Sequence, residues 1–152
     1  MKKIIYAAVF YDADELRRHA ERIAAGTDGM DPVPDPHTTL AFRPDASVVE
    51  VLRRHLGTEV RAVFTGWGCD GLNAGFLAEL SWPDGTGPTV SEAYRVQSGV
   101  PHCTYKLSPG ARAKDTAGLA FEPLDRSDRF TLTGRLGFYT PGGVLFDPLC
   151  QI

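Results

Sequence analysis

Residues 35–42 read DPHTTLAF, and 65 residues beyond their histidine the chain reads GVPHCTYKL over 99–107. Each stretch is a short run of strand-forming residues bounded by turn residues, which predicts strands over 37–43 and 102–107. Side chains two apart on a strand leave the same face, about 6.5–7 Å apart along the chain. His37 and Thr39 therefore share a face, as do His102 and Thr104. Thr38 with Leu40, and Cys103 with Tyr105, point to the opposite face, where helices would cover them.

The flanking segments fill in around these strands. KKIIYAAVFY (2–11) predicts a strand buried on both sides for most of its length. Asp12, with Glu15 three residues later, resembles a capping box that opens a helix over 12–25, with Leu16, Ala20, Ile23 and Ala24 on one face and Gly26 as its stop. Residues 26–36 carry loop chemistry in Gly26, Gly29, Pro32, Pro34 and Pro36. After the first motif, Pro44 and Asp45 start a helix over 46–56, with Val48, Val49, Val51 and Leu52 partly buried and Gly57 as its stop.

VRAVFTGW (60–67) and NAGFLAELSW (73–82) should then pair as a hairpin. Residues 83–101 hold a Gly/Pro loop and TVSEAYRV, an amphipathic piece with the pattern of a short helix. A helix over 111–119 follows the second motif, and FTLTGRLGFYT (130–140) with GGVLFDPL (142–149) forms a second expected hairpin. From each histidine the chain thus runs strand, helix, strand, turn, strand. HTTL matches HCTY, and FTG (64–66) matches LTG (132–134). This internal repeat, about 37–82 and 102–149, predicts an α+β fold in one domain over 1–152. Its two lobes would be duplicated β-α-β-β units related by a pseudo-twofold axis, completed by strand 2–11 and helix 12–25.

Composition narrows the class. A chain of 152 residues with 43% hydrophobic and 23% charged residues lies near the soluble globular average, which argues against disorder and fibrous classes. IIYAAVFY is too short to span a bilayer and leads into an acidic, helix-like stretch, so no membrane association is expected and a cytoplasmic location is the default. Cys69, Cys103 and Cys150 are an odd set without C-x-x-C spacing, which leaves them as small buried apolar residues rather than a disulfide framework or zinc site. A net charge of -3 lacks the basic surface that would grip long duplex nucleic acid. The pairs Arg17–Arg18 and Arg53–Arg54 lie on expected helices among glutamates and read as solvated faces. GWGCDG (66–71) matches G-x-G-x-x-G, but the segment after it is strand-like, so its glycines belong to a hairpin turn and not to a dinucleotide site.

If the two halves pack about a twofold axis with the motif strands near the centre, two imidazoles and two hydroxyls converge on one groove. That set suits phosphodiester chemistry. A neutral imidazole removes a proton from water or a ribose hydroxyl, and a protonated one gives a proton to the leaving oxygen, each role being worth about 10² to 10⁴ in rate. Histidine fits because its ordinary pKa of about 6.5 lets both forms exist near neutrality. Threonine hydroxyls donate hydrogen bonds to the non-bridging oxygens as charge develops. No metal or other cofactor is required by such a set. His19 and His55, both in LRRH on expected helices, are assigned no catalytic role.

HTTL at 37–40 and HCTY at 102–105 resemble the two His-x-[Ser/Thr]-x signatures of the 2H phosphoesterase superfamily, and the resemblance extends over nearly the whole chain. That superfamily includes RNA 2′,3′-cyclic phosphodiesterases, 2′-5′ RNA ligase-like enzymes and phage anti-CBASS nucleases that destroy cyclic oligonucleotide signals. The resemblance implies a bilobal α+β fold with a central groove between two antiparallel sheets. It also implies metal-independent catalysis by His37 and His102, with Thr39 and Thr104 binding phosphate. Tyr11, at the end of the first strand, and Lys106 are the further nucleotide-contact candidates. Thr38 departs from the apolar residue usual inside the first motif.

Short length and motif spacing look more like the compact members, and the acidic balance favours a small or cyclic nucleotide as partner. RNA ends are the alternative substrate. A sequestering module without turnover, and a purely structural protein, are the rival readings. Either histidine can serve as base, since a twofold-like site makes the roles depend on substrate orientation, and a monomer or a small homo-oligomer is expected.

Overall fold

A computed structural model of the chain describes residues 3–82 and 100–150. The expected TVSEAYRV helix lies outside the described residues. The elements in order are β1 (Tyr6–Phe10), α1 (Ala13–Ala20), β2 (Asp31–Pro32), β3 (His37–Phe42), α2 (Ala46–Arg53), β4 (Glu59–Cys69) and β5 (Asn73–Ser81). They continue with β6 (His102–Leu107), a 3-10 turn (Ala113–Gly118), β7 (Glu122–Pro123), β8 (Phe130–Thr140) and β9 (Gly143–Leu145). The protein is thus α+β, with a large antiparallel sheet and few helices.

All nine strands of the described residues belong to one sheet, ordered β2-β6-β5-β4-β8-β1-β3, with β7 on β4 and β9 on β8. The expectation of two separate sheets is corrected by β4 and β8. These strands, 11 residues each, pair through Glu59–Phe64 and Phe130–Arg135 and make the sheet continuous. Outward from that pair the order is alike on both sides: β5 then β6 in one direction, β1 then β3 in the other. Within the expected frame 37–82 and 102–149, β4 pairs with β5 and β8 with β9. β1 pairs with β8 as β5 pairs with β4, and β9 is only Gly143–Leu145 against the end of β8.

Alternation decides which face is buried. Val60, Ala62 and Phe64 of β4 and Phe130 and Leu132 of β8 turn inward, and Leu16 and Ala20 of α1 and Leu52 of α2 join the same core. Phe64 stacks on Phe130 at 4.7 Å and meets Phe76 edge-on at 5.8 Å. Each such buried side chain contributes about 1.5–3 kcal/mol. Both helices begin at an aspartate cap: Asp12 accepts the Glu15 amide and Asp45 the Val48 amide, each at 3.0 Å. α1 is shorter than expected because its last turn tightens, with the amides of Ile23 and Ala24 both donating to the Ala20 carbonyl.

GWGCDG is the end of β4 and its turn into β5, as expected. Asp70 Oδ1 accepts the amides of Leu72 (2.9 Å) and Asn73 (2.8 Å), and Gly71 takes φ +87°, a conformation that favours glycine. Arg17 sits on a solvated face beside Asp14. Arg53 does not: its guanidinium donates to the carbonyls of Cys150 (2.8 Å) and Pro148 (3.4 Å) and ties down the chain's last described segment. Cys103 is buried, whereas Cys69 and Cys150 are half-buried. No helix among the described residues is long and apolar enough to cross a membrane.

Tyr11 does not line the groove. It is a core residue, only 7% exposed, and its hydroxyl shares a 2.7 Å hydrogen bond with Oγ1 of the fully buried Thr38. Thr38, the polar residue inside an otherwise apolar motif, is thereby explained. Its hydroxyl satisfies the buried phenol, and the phenol satisfies it in return. Removing either partner alone, by Tyr11→Phe or Thr38→Val, leaves a buried hydroxyl unpaired and is expected to cost about 1–3 kcal/mol. The double variant should recover part of that loss. Denaturant titration of the four proteins checks this, and strictly additive losses would contradict it.

Candidate active site

The two motif strands occupy matching places in the sheet. Among the described residues β3 pairs only with β1, β6 pairs with β5, and β3 and β6 pack side by side without a ladder between them. Each carries a β-bulge at the same point of its motif. In β3 the pairing passes from Thr39↔Ala8 to Ala41↔Ala7, leaving Leu40 extra. In β6 it passes from Thr104↔Gly75 to Lys106↔Ala74, leaving Tyr105 extra. The fourth residue of HTTL and of HCTY is therefore the bulge residue in both, so the strand stays regular through His-x-Thr and bends just beyond it.

His37, Thr39, His102 and Thr104 line one groove of about 320 Å³, together with Tyr6, Phe42, Ala113, Lys114 and Ala117. That volume lies near the lower end of the roughly 300–1,000 Å³ usual for small-molecule sites. All four chemical residues expected from the sequence are thus brought together. Behind them, the His37 amide lies against the Cys103 thiol, where burial pushes the thiol pKa up to about 12 and that amide contact partly offsets the rise.

The two imidazoles are held in the same way. His37 Nδ1 lies 2.8 Å from the Asp35 carbonyl, and His102 Nδ1 lies 3.1 Å from the Val100 carbonyl, in each case two residues back along the chain. A carbonyl only accepts, so Nδ1 carries a proton in both rings, and Nε2 is the nitrogen left to exchange protons. The tautomer is fixed by the local backbone before any ligand arrives.

Tyr6 is a site residue that sequence reasoning missed. Its ring stacks on His37 at 4.8 Å and on Tyr139 at 4.8 Å, while Phe10 leans against His37 at 5.5 Å. This row of rings encloses the imidazole. Burial lowers the His37 pKa below its ordinary 6.5, and the nearby His102 lowers it further. The Asp35 carbonyl bond and the Asp35 carboxylate act in the opposite direction and are outweighed. The Tyr6 phenol is pushed up to about 12, chiefly by burial. No local signal marked Tyr6, because its approach to His37 depends on the β1–β3 register.

Thr39 and Thr104 differ in their support. The Thr104 hydroxyl donates to Thr116 Oγ1 at 2.8 Å, and Asn73 Nδ2 donates to the same oxygen at 3.0 Å. Thr39 has no side-chain hydrogen bond among the described residues. The expected helix over 111–119 is the 3-10 turn, pinned at the buried Thr116, and it brings Lys114 into the groove. Lys106 is not there. Past the Tyr105 bulge its side chain follows the tyrosine, with the ammonium over that ring at 5.4 Å and 3.4 Å from Thr27 Oγ1. No sequence periodicity links Lys114 to the motif 12 residues earlier, so it too escaped notice.

No family model and no curated protein matches the chain. Among solved structures it is similar to the crystal structure of TT0787, a protein of Thermus thermophilus, with 18% identity over 92% of this chain and 91% of that one and a TM-score of 0.44.

A histidine whose native pKa lies below its unfolded value binds its proton more weakly in the fold. Its contribution to stability is present above about pH 6.5 and is lost as pH falls from there through the native pKa. Proton NMR titration of the His37 Cε1–H should therefore give a midpoint below 6.5, and Tyr6→Ala, which opens the ring to water, should move it upward. A midpoint at or above 6.5, or one unmoved by Tyr6→Ala, would contradict this account of the site.

Proposed function

We propose that the chain is a phosphodiesterase of the 2H phosphoesterase type, which cleaves a nucleotide phosphodiester by two-histidine acid–base catalysis without a metal. The observation that carries this reading is the pair of matching Nδ1–carbonyl bonds, which leave an Nε2 on each of two histidines lining one groove with two threonines. A duplicated, bilobal fold belongs to the same proposal. It is supported by the strand order about β4 and β8 and by bulges at equal distances from the two histidines. The repeats it favours run from β1 to β4 and from β5 to β8.

In the proposed reaction, neutral His37 takes a proton on Nε2 from a water or a ribose hydroxyl as that oxygen bonds to phosphorus. His102 gives its Nε2 proton to the leaving oxygen as the second P–O bond breaks. His37 is assigned the base because enclosure disfavours its protonated form. Thr39 and Thr104 donate to the non-bridging oxygens as their charge grows. Lys114 supplies positive charge at the groove, the part first expected of Lys106.

The preferred substrate is a cyclic oligonucleotide signal or a 2′,3′-cyclic phosphate or 2′-5′ linkage, consistent with a groove of nucleotide size and an acidic chain. RNA termini are the second substrate class. Sequestration without turnover is the alternative activity, and an acid–base pair with defined tautomers speaks against it.

The test is incubation, with EDTA present, against 2′,3′-cyclic nucleotides, 2′-5′ oligonucleotides and cyclic di- and trinucleotides. At least one ester should be cleaved, and His37→Ala and His102→Ala should each reduce the rate by about 10² to 10⁴. The acid limb of kcat/KM should fall below pH 6.5, where His37 gains its proton. Tight binding of a ligand that stays intact would establish the sequestering alternative. Turnover indifferent to both substitutions would remove the two-histidine mechanism.

A further inference from the structure

The two threonines of the groove occupy matching motif positions, but among the described residues only one has a polar chain behind it. Asn73 is 3% exposed, and Thr116 is fully buried. Asn73 Nδ2 donates both to the Arg112 carbonyl at 2.8 Å and to Thr116 Oγ1 at 3.0 Å, and Thr116 Oγ1 meets Thr104 Oγ1 at 2.8 Å. The close approach depends on Gly75, where a Cβ would lie 2.7 Å from both the Cys103 carbonyl oxygen and Thr116 Cγ2. Any larger residue there would push the 3-10 turn away from β6 and break the chain of hydroxyls. Burial of two side-chain polar groups at this place is costly unless their hydrogen bonds are met, and the Thr104 hydroxyl links them to the groove.

We infer that Thr116 and Asn73 are positioning residues that orient the Thr104 hydroxyl towards a bound phosphate oxygen, an inference that rests on the groove being the phosphate site proposed above. In the structure the Thr104 hydroxyl donates inward, with Thr116 Oγ1 at 2.8 Å as the nearer acceptor and the Ala113 carbonyl at 3.4 Å as the farther one. When an anionic oxygen arrives, the hydroxyl protons turn together. The Thr104 O–H donates outward to the phosphate, the Thr116 O–H donates to Thr104, and the Asn73 N–H continues to donate to Thr116. Every oxygen keeps a donor behind it, and donors in series polarise one another, so the Thr104 proton becomes the stronger hydrogen-bond donor. No bond to a heavy atom is made or broken. Thr39, with no such chain among the described residues, supplies a hydroxyl that turns freely. The two halves of the groove are therefore unequal, and the phosphate is oriented by the His102–Thr104 half.

The experiment uses the full chain with inorganic phosphate as the probe and NMR as the readout, so that it does not depend on knowing the substrate. Thr116→Val should weaken phosphate binding by up to about tenfold, as much as Thr104→Val does, and the double variant should be no weaker than either single one. Thr116→Ser, which keeps the hydroxyl, should restore binding. In the wild-type protein the Asn73 side-chain amide resonance should shift along the same saturation curve as phosphate is added, and this shift should vanish in Thr104→Val. That measurement stands if Thr116→Val fails to fold. Wild-type affinity in Thr116→Val, or phosphate bound with the Asn73 amide unmoved, overturns the inference and leaves the two-histidine reading intact. Phosphate binding that depends on Thr116, in a protein that cleaves none of the esters, supports the inference and removes the reading. A wild-type protein that binds no phosphate overturns the inference and counts against the reading as well.

Discussion

The antiparallel pairing of Glu59–Phe64 with Phe130–Arg135 is the constraint on which the rest of this protein depends. These two long strands lie at the middle of the sheet, and each half of the sheet is built outward from one of them. Because β3 and β6 are each two strands away from that pair, on opposite sides, the sheet's curvature brings them back together. The groove is the consequence of that closure. Its four chemical side chains come from segments 65 residues apart, and no local interaction between them would have assembled the site.

Local structure then refines what closure provides. The bulges at Leu40 and Tyr105 come immediately after each His-x-Thr, so the residues that line the groove sit on regular strand and the next residue returns to the core. The i−2 carbonyls of Asp35 and Val100 settle the tautomers. Packing breaks the symmetry: His37 is enclosed by Tyr6 and Phe10, while Thr104 is backed by Thr116 and Asn73. A site assembled from two like motifs thereby acquires two unlike halves, and unlike halves are what an acid and a base require.

Much of this was legible in the sequence because it is carried by short-range pattern. Period-two alternation and turn residues located β3 and β6, and the side of the strand on which His37 and His102 lie followed from strand geometry alone. Aspartate caps marked the start of both helices. What was misplaced depends on register. Tyr11 lies at a strand end, where sequence gives no clue that Thr38 on the neighbouring strand will receive its hydroxyl in the core. Lys106 keeps the motif's i, i+2, i+4 spacing, yet one bulge residue removes it from the groove. The matching places of β1 and β5 beside β8 and β4 were not legible, because they are carried by the dissimilar YAAVF and NAGFL.

In the proposed site, two histidine Nε2 atoms with defined tautomers face one phosphate. Histidine side-chain 15N–1H correlation spectra, recorded above pH 6.5 with and without a nucleoside monophosphate, test it most directly. A protonated Nδ1 is expected in both His37 and His102, with Nε2 signals of both rings that move together along one saturation curve. A proton on Nε2 in the free neutral form of either ring, or a response confined to one ring, would contradict it.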